Sequence, residues 1–370
     1  MAHIEDRWMK TGPSGRKVKT ERHGAGLRWL AVWNERDGRR RKKGFATKDA
    51  AQAHLDAVGH QQRSGTYISA DRSAITVREF SVLWLAEQIH QRSSSITAIR
   101  TKLDNQILPA LGDYPLADLE RETIQAAVTR WAETLAPSTV EIAYRYLVGM
   151  LHHAVRDRRL TTNPCVRINL PSTSKGLVVP PTVEQVQGLI EHLPEPFPRF
   201  AVLVAASGLR GGEARGLEWD RVRHVDEGAV LKIDRQWSRG GWAPVKTESS
   251  DRSLSVGVVT RDALGGRGDG PVFVGRGGSP ISDTTAWKAW RVAAPKVGLD
   301  ERGGWHQLRH FHASLLIAGG ASPVAVAGRL GHKNAIETLK TYGHLWPDDD
   351  VKMRDASDGV VSWTPPQPPV

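Results

Sequence analysis

The spacing of apolar positions changes its period along the chain. Over 27–34 apolar residues alternate, with Trp29 and Trp33 on one side, which predicts a strand; Asp37-Gly38 supplies a turn and 39–45 a returning strand. Thr47 is placed to cap a helix over 48–59 that turns Ala51, Leu55 and Val58 to one side. From Thr76 the period becomes helical. Thr76 with Glu79, and Ser138 with Glu141, form capping boxes ahead of Phe80, Leu83 and Trp84, and of Tyr144, Leu147 and Leu151. With periodic segments at 95–107 and 118–135 between them, 76–160 reads as a four-helix unit. Pro164, Pro171, Pro180 and Pro181 punctuate an aperiodic linker. Thr182 and Gln185 then open a helix with Val183, Val186, Leu189, Ile190 and Leu193 on its apolar side, and a buried segment at 200–206 ends at Ser207-Gly208. Alternation at 230–237, 242–245 and 253–256 predicts strands, with Gly240-Gly241 as a tight turn. Helices follow from His306 to Ala318 and from Ser322-Pro323 to Gly331.

These elements predict a multidomain protein, mainly α with small β-sheets. Residues 1–70 form a hairpin or three-stranded sheet plus a helix, 74–165 a helical domain, 166–181 a linker, 182–347 an α+β domain and 348–370 a tail. At roughly 150 residues per domain, a chain of 370 residues agrees with two or three domains. No internal repeat is evident.

Charge narrows the partner. Lys and Arg number 51 against 40 Asp and Glu, a net +11, and the excess is lopsided: +8 in 1–70, +2 in 71–180 and +1 in 181–370. A polyanion held in a salt-sensitive way is the expected partner. The longest apolar stretches, such as 201–206, fall far short of the ~20 residues a bilayer crossing needs, and the N-terminus has no apolar signal core, so no membrane partner and a cytoplasmic location are expected. One cysteine, Cys165, forms no internal disulfide and no Cys-based zinc site. Within the basic front end, Arg39, Arg40, Arg41, Lys42 and Lys43 read either as a solvated turn or as a DNA contact, since a two-stranded ribbon fits a major groove.

Candidate chemistry lies in the last 190 residues or so. Arg210 and Glu213 stand three apart just past a helix end, where the plain reading is an intrahelical ion pair. Lys246 sits at the mouth of a hairpin. His306, Arg309 and His310 share one face of a hydrophobic helix, His332 follows Gly331, and Tyr342 comes ten residues later. Each alone is weak, because a lone histidine is more often structural and a lone tyrosine more often packing. His152 and His153, adjacent on a helix and with no evident carboxylate partner, are not expected to bind metal.

Taken in order, Arg210, Lys246, His306, Arg309, His332 and Tyr342, with the strings LRGGEARGLEW at 209–219, VKTESSDRSLSV at 245–256, HQLRH at 306–310 and LGHKNAIETLKTYGHL at 330–345, resemble the tyrosine recombinase family, the phage-type integrases. The unit ending in Asn163-Pro164 resembles the family's SAM-like core-binding domain, and the basic hairpin and helix its arm-binding domain. The resemblance implies site-specific cleavage and rejoining of double-stranded DNA at core and arm sites through a 3′-phosphotyrosyl intermediate. It also implies a homo-tetramer on DNA, accessory DNA-bending or directionality proteins, no metal and no cofactor. Arg210 and Arg309, charged because their pKa exceeds ~12, would clamp the phosphate bidentately. Tyr342, with a pKa near ~10, would be the nucleophile and would need help losing its proton, for which His306 is the candidate acceptor. Lys246 would be the general acid and His332 a donor to a non-bridging oxygen, with Glu213 and His310 orienting the arginines and the helix. Two positions depart from the family pattern, Gln307 and Phe311, and Glu248 and Asp251 make the Lys246 hairpin less basic than expected. A short apolar segment at 359–363 is either a frayed tail or a piece donated to a neighbouring subunit.

Three other readings compete. A type IB topoisomerase-like nicking and rejoining activity uses the same chemistry, but the separate basic arm argues against it. A DNA-binding regulator with an inactive recombinase domain is at odds with six filled positions. A metalloenzyme built on His306, His310 and His312 lacks the glutamate of H-E-x-x-H.

Overall fold

The alternating segment near the start of the chain forms the inner strand of a three-stranded antiparallel sheet. A computed structural model describes residues 2–346, apart from 14, 36, 37, 173–175 and 246, together with 354, 355 and 357. Lys246 and the apolar segment 359–363 therefore lie outside the described residues. Strand Trp29–Asn34 pairs with Arg40–Phe45 on one side and His3–Asp6 on the other, and a separate ribbon joins Met9–Thr11 to Lys17–Lys19. Thr47 caps helix Lys48–Ser64, accepting from the Ala50 amide at 3.2 Å. The helix runs past Gly59, whose interior penalty is only ~1 kcal/mol, to Gly65, which takes the left-handed conformation at φ 73°. Ala51, Leu55 and Val58 pack on Ala31 and Trp33.

Four helical stretches follow: Val77–Ala86, Ser93–Lys102, Arg121–Thr134 and Pro137–Arg156. Thr76 and Glu79 close their capping box. Ser138 and Glu141 do not, because Pro137, with its fixed φ and missing N–H, takes the first helical position, and Glu141 pairs with Arg145 instead at 2.9 Å. The second stretch closes its predicted span with a π-helical turn, Leu103–Ile107, and outruns it by a further turn, Leu108–Leu111. Phe80, Leu103, Ile107, Ile124, Leu147 and Met150 form the core of this unit. His153 does have carboxylate neighbours, contrary to the sequence reading: its Nε2 lies 2.8 Å from Glu87 and 3.5 Å from Asp157. Only the fold brings Glu87 to this helix. Arg156 donates to His153 Nδ1 at 3.0 Å, so an ion on Nε2 would force a proton onto Nδ1 against that guanidinium.

Between Arg156 and Val183 the described residues form no helix or strand, and the chain divides into compact units at 1–174 and 175–370. In the second unit, helix Val183–His192 carries the Thr182/Gln185 capping box, and the almost wholly apolar Phe197–Ser207 runs through the core. The expected strand at 230–237 is two strands. Asp234 interrupts it to accept from Arg221 and Arg235, leaving Gly228–Ile233 in a sheet with Val222–Val225 and Arg252–Val256, and Arg235–Ser238 in a ribbon with Gly241–Pro244. Phe200, Phe273, Trp290 and Trp305 meet ring to ring in this core. A second, smaller cluster gathers Ala313, Ile317, Val326, Leu330 and Tyr342.

Leu147 is fully buried at the centre of the helical core. Leu147→Ala should lower the stability of that unit by about 2–5 kcal/mol in urea denaturation of the full chain; a change below ~1 kcal/mol would contradict this packing.

Candidate active site

Two glycines in the left-handed conformation organise the site. The apolar helix Phe197–Ser207 stops at Gly208, φ 68°, where a Cβ would come within 2.6 Å of His312 and 2.7 Å of Leu330. The stop leaves the Gly208 carbonyl free of its helix, and it accepts from Arg309 Nη1 at 2.7 Å. Helix Pro323–Leu330 stops likewise at Gly331, φ 70°, whose carbonyl accepts from Arg210 Nη2 at 3.0 Å. Each arginine is thus aimed by a helix C-terminus, whose partial negative charge suits a cation.

A buried carboxylate joins them. Arg210 sits at the N-cap of the short helix Gly211–Arg215 and donates through Nη1 to Glu213 at 2.7 Å and to the Ser250 hydroxyl at 3.1 Å. The expected ion pair is present, but it belongs to a larger array: Arg252 Nη2 donates to the other Glu213 oxygen at 3.1 Å, and Arg252 Nε to the Arg329 carbonyl at 3.0 Å. Glu213 is 2% exposed; burial opposes its charge, yet Arg252 and Arg210 hold its carboxyl below the usual range. Arg309 is 1% exposed, and burial, then Arg210, lowers its pKa to about 10, which still leaves it charged at neutral pH.

Around this frame stand four imidazoles and a phenol. Tyr342 ends helix Ala335–Tyr342 and is 1% exposed; burial lifts its pKa to about 12 despite the field of Arg309. Its hydroxyl lies 2.8 Å from His310 Nδ1, so the nucleophile candidate meets His310 and not, as the sequence suggested, His306. His306 instead stacks edge-on against His310 with ring centroids 4.6 Å apart. Desolvation, then His310, Arg309 and Arg210, push His306 down; because its ring stays exposed, the neighbouring cations are the firmer cause. His332 pairs through Nδ1 with Thr338 at 2.7 Å, and burial followed by Arg309 lowers its pKa to about 4. His312 donates through Nδ1 to the Ala205 carbonyl at 3.0 Å, whereas His310 Nδ1 faces the Tyr342 hydroxyl. Among the described residues, the one group of three such side chains within metal-binding reach is Glu87, His153 and Asp157, in the other unit.

Sequence reasoning missed Arg252, Ser250 and Thr338. Arg252 had a signal: it shares strand parity with the inward-facing Leu254 and Val256, so a charge at that position must meet a buried partner. Ser250 and Thr338 had none. The residues 39–43 lie far along the chain in the N-terminal sheet, where Arg40 pairs with Glu5 at 2.6 Å, Arg41 with Glu35 at 3.0 Å and with Asp71, Arg39 with Asp71 at 3.7 Å, and Lys42 with Glu5 at 3.7 Å. Lys43 lies over the Phe45 ring.

The Phage integrase family profile matches residues 182–348, and that of the Phage integrase N-terminal SAM-like domain matches 76–132. The chain belongs to the phage integrase family. It is similar to a putative prophage phiRv2 integrase of Mycobacterium tuberculosis, 27% identical over 86% of this chain and 88% of the relative, and to tyrosine recombinase XerD of Corynebacterium glutamicum, 25% identical over 58% and 73%. Its fold resembles the Tn1549 transposon integrase in complex with a circular intermediate DNA, at TM-score 0.66 and 16% identity, covering 78% of this chain and all of that one. It also resembles a lambda integrase tetramer bound to a Holliday junction, at TM-score 0.58 and 17% identity, covering 87% and 93%. As a phage integrase of the tyrosine recombinase class, the chain is an enzyme of DNA breaking and rejoining. No helix among the described residues is long and apolar enough to cross a membrane.

Two outcomes follow from the electrostatics. Arg252→Ala strands Glu213 beside a single cation and should destabilise the integrase domain by about 3–5 kcal/mol, measured by chemical denaturation. His312 and His332, lowered from 6.5 to about 4, stay neutral when folded while the unfolded chain takes up protons, so stability falls as pH drops from about 6.5 towards 4. The urea midpoint should be lower at pH 5 than at pH 7, and less so in His312→Gln.

Proposed function

We propose that this integrase inserts and excises a phage or other mobile element through a covalent 3′-phosphotyrosyl intermediate carried by Tyr342. The observation that supports this most is the convergence of Arg210, Arg309 and Tyr342, from three separate parts of the sequence, on one electrostatic site. Attack of the Tyr342 oxygen on a backbone phosphorus passes through a phosphorane with extra negative charge. Arg210 and Arg309, fixed before DNA arrives, lower that barrier without reorganising. Their guanidinium forks suit two phosphate oxygens each. His332, neutral, donates to a non-bridging oxygen, and Lys246 protonates the departing 5′ oxygen. The phosphotyrosyl bond conserves the energy of the broken linkage, so a 5′-hydroxyl from another duplex can reverse the step without ATP.

Two duplexes exchanging strands need four such centres, which supports a homo-tetramer assembled on core sites. The N-terminal sheet would hold arm sites through the residues 39–43. Most of its ion pairs are solvent-exposed and worth little, so phosphates can take the carboxylates' place. Accessory bending and directionality proteins fit this division between arm and core.

A nicked suicide substrate incubated with the protein in chelator tests the reading. Wild type should trap as a covalent adduct and Tyr342→Phe should not. Arg210→Ala and Arg309→Ala should keep core-site binding and cleave about 10²–10³-fold more slowly. An adduct formed by Tyr342→Phe refutes the assignment. Neutralising 39–43 should weaken binding of arm DNA and flatten its salt dependence by about 0.9 in log–log slope for each phosphate that is no longer neutralised.

A further inference from the structure

Resting on the recombinase reading above, we propose that His310 is the catalytic residue that takes the Tyr342 proton, with His306 as the exit that passes it to solvent. The Tyr342 hydroxyl has His310 Nδ1 at 2.8 Å, inside the reach required of a general base, before any substrate is bound. The ring itself is half-buried between two neighbours that constrain it: Tyr342, at 5.5 Å between centroids, and His306, edge-on at 4.6 Å. Helix His306–Ala318 explains the pairing, since positions four apart stack on one face and His306, at the first position, is exposed. His306 is exposed where His310 is not, so the two rings make a short path from a buried phenol to water.

Chemistry favours a neutral imidazole at this point. Arg309 precedes His310 in the chain, and burial with that cation holds His310 below its ordinary value, so the ring is neutral at neutral pH, and with its proton on Nε2 the Nδ1 lone pair faces the phenol. The phenol, pushed up by its own burial, keeps its proton until the phosphate approaches. As the Tyr342 oxygen bonds to phosphorus, its proton moves to His310 Nδ1, the bond from phosphorus to the 5′ oxygen breaks, and that oxygen takes a proton from Lys246. In rejoining, the 5′-hydroxyl oxygen bonds to phosphorus and gives its proton back to Lys246, while the bond from phosphorus to the Tyr342 oxygen breaks and His310 returns a proton to the phenol. A single imidazole thereby serves both directions. His306, one ring away, acts on the phenol through His310.

Two substrates separate proton transfer from architecture. Cleavage of a suicide substrate needs the phenol deprotonated. Joining a 5′-hydroxyl strand to a 3′-(4-nitrophenyl phosphate) end needs the arginine clamp but no proton for its leaving group. His310→Ala and His310→Gln should bind core DNA like wild type, form adducts about 10²-fold or more slowly, and join the nitrophenyl end at the wild-type rate. Added imidazole should restore part of the cleavage by His310→Ala. Cleavage at the wild-type rate by His310→Ala, or joining abolished together with cleavage in both variants, overturns the assignment. Wild type that forms no adduct at all overturns the recombinase reading instead.

Discussion

Everything in the catalytic unit depends on keeping cationic guanidiniums inside a protein. Arg309 is almost wholly enclosed, and Arg210 and Arg252 share one enclosed carboxylate. Such charges are tolerated only when donors find partners, because desolvation otherwise outweighs attraction. Glu213 supplies the charge, and the carbonyls of Gly208, Gly331 and Arg329 supply the remaining acceptors. Those glycine carbonyls are available because two helices end abruptly, and the helices end where a side chain would collide. The apolar core, the chain reversals and the arginine cluster are one construction.

That construction sets the protonation states around it. A cluster of cations in a water-poor pocket keeps His310 and His332 neutral and, opposing burial, draws the phenol towards ionisation. A neutral imidazole can accept from Tyr342 or donate to a phosphate oxygen, whereas an imidazolium can only donate. Arg309 Nε is buried and without a hydrogen-bond partner among the described residues.

Bulk charge has a different role. The net +11 is concentrated in the first 70 residues, and much of it there is matched against Glu5, Asp6, Glu35 and Asp71. An exchangeable surface of this kind suits a polyanion gripped reversibly. The catalytic half, nearly neutral overall, concentrates its cations at one point by packing. Under the proposed function the two halves would meet DNA through different physics: screening-sensitive attraction in one and fixed, desolvated hydrogen bonding in the other.

Local rules made much of this legible. Periodicity showed the helical unit, Thr76 and Thr182 showed helix starts, Gly208 and Gly331 showed helix ends, and the spaced strings at 209–219, 245–256, 306–310 and 330–345 carried the family. Such features depend on residues within a turn or two of each other, so sequence alone suffices. Where local signals competed it did not: Pro137 displaced the Ser138 cap, and Asp234 broke a strand that looked continuous. Only the tertiary structure decided which histidine meets Tyr342, since His306 and His310 share a helical face and their 32-residue separation or more from Tyr342 is closed by packing of Ile317, Leu330 and Tyr342 into one cluster. It alone also brought Arg252 to Glu213, because a charge in a strand carries no record of the partner that long-range burial will demand.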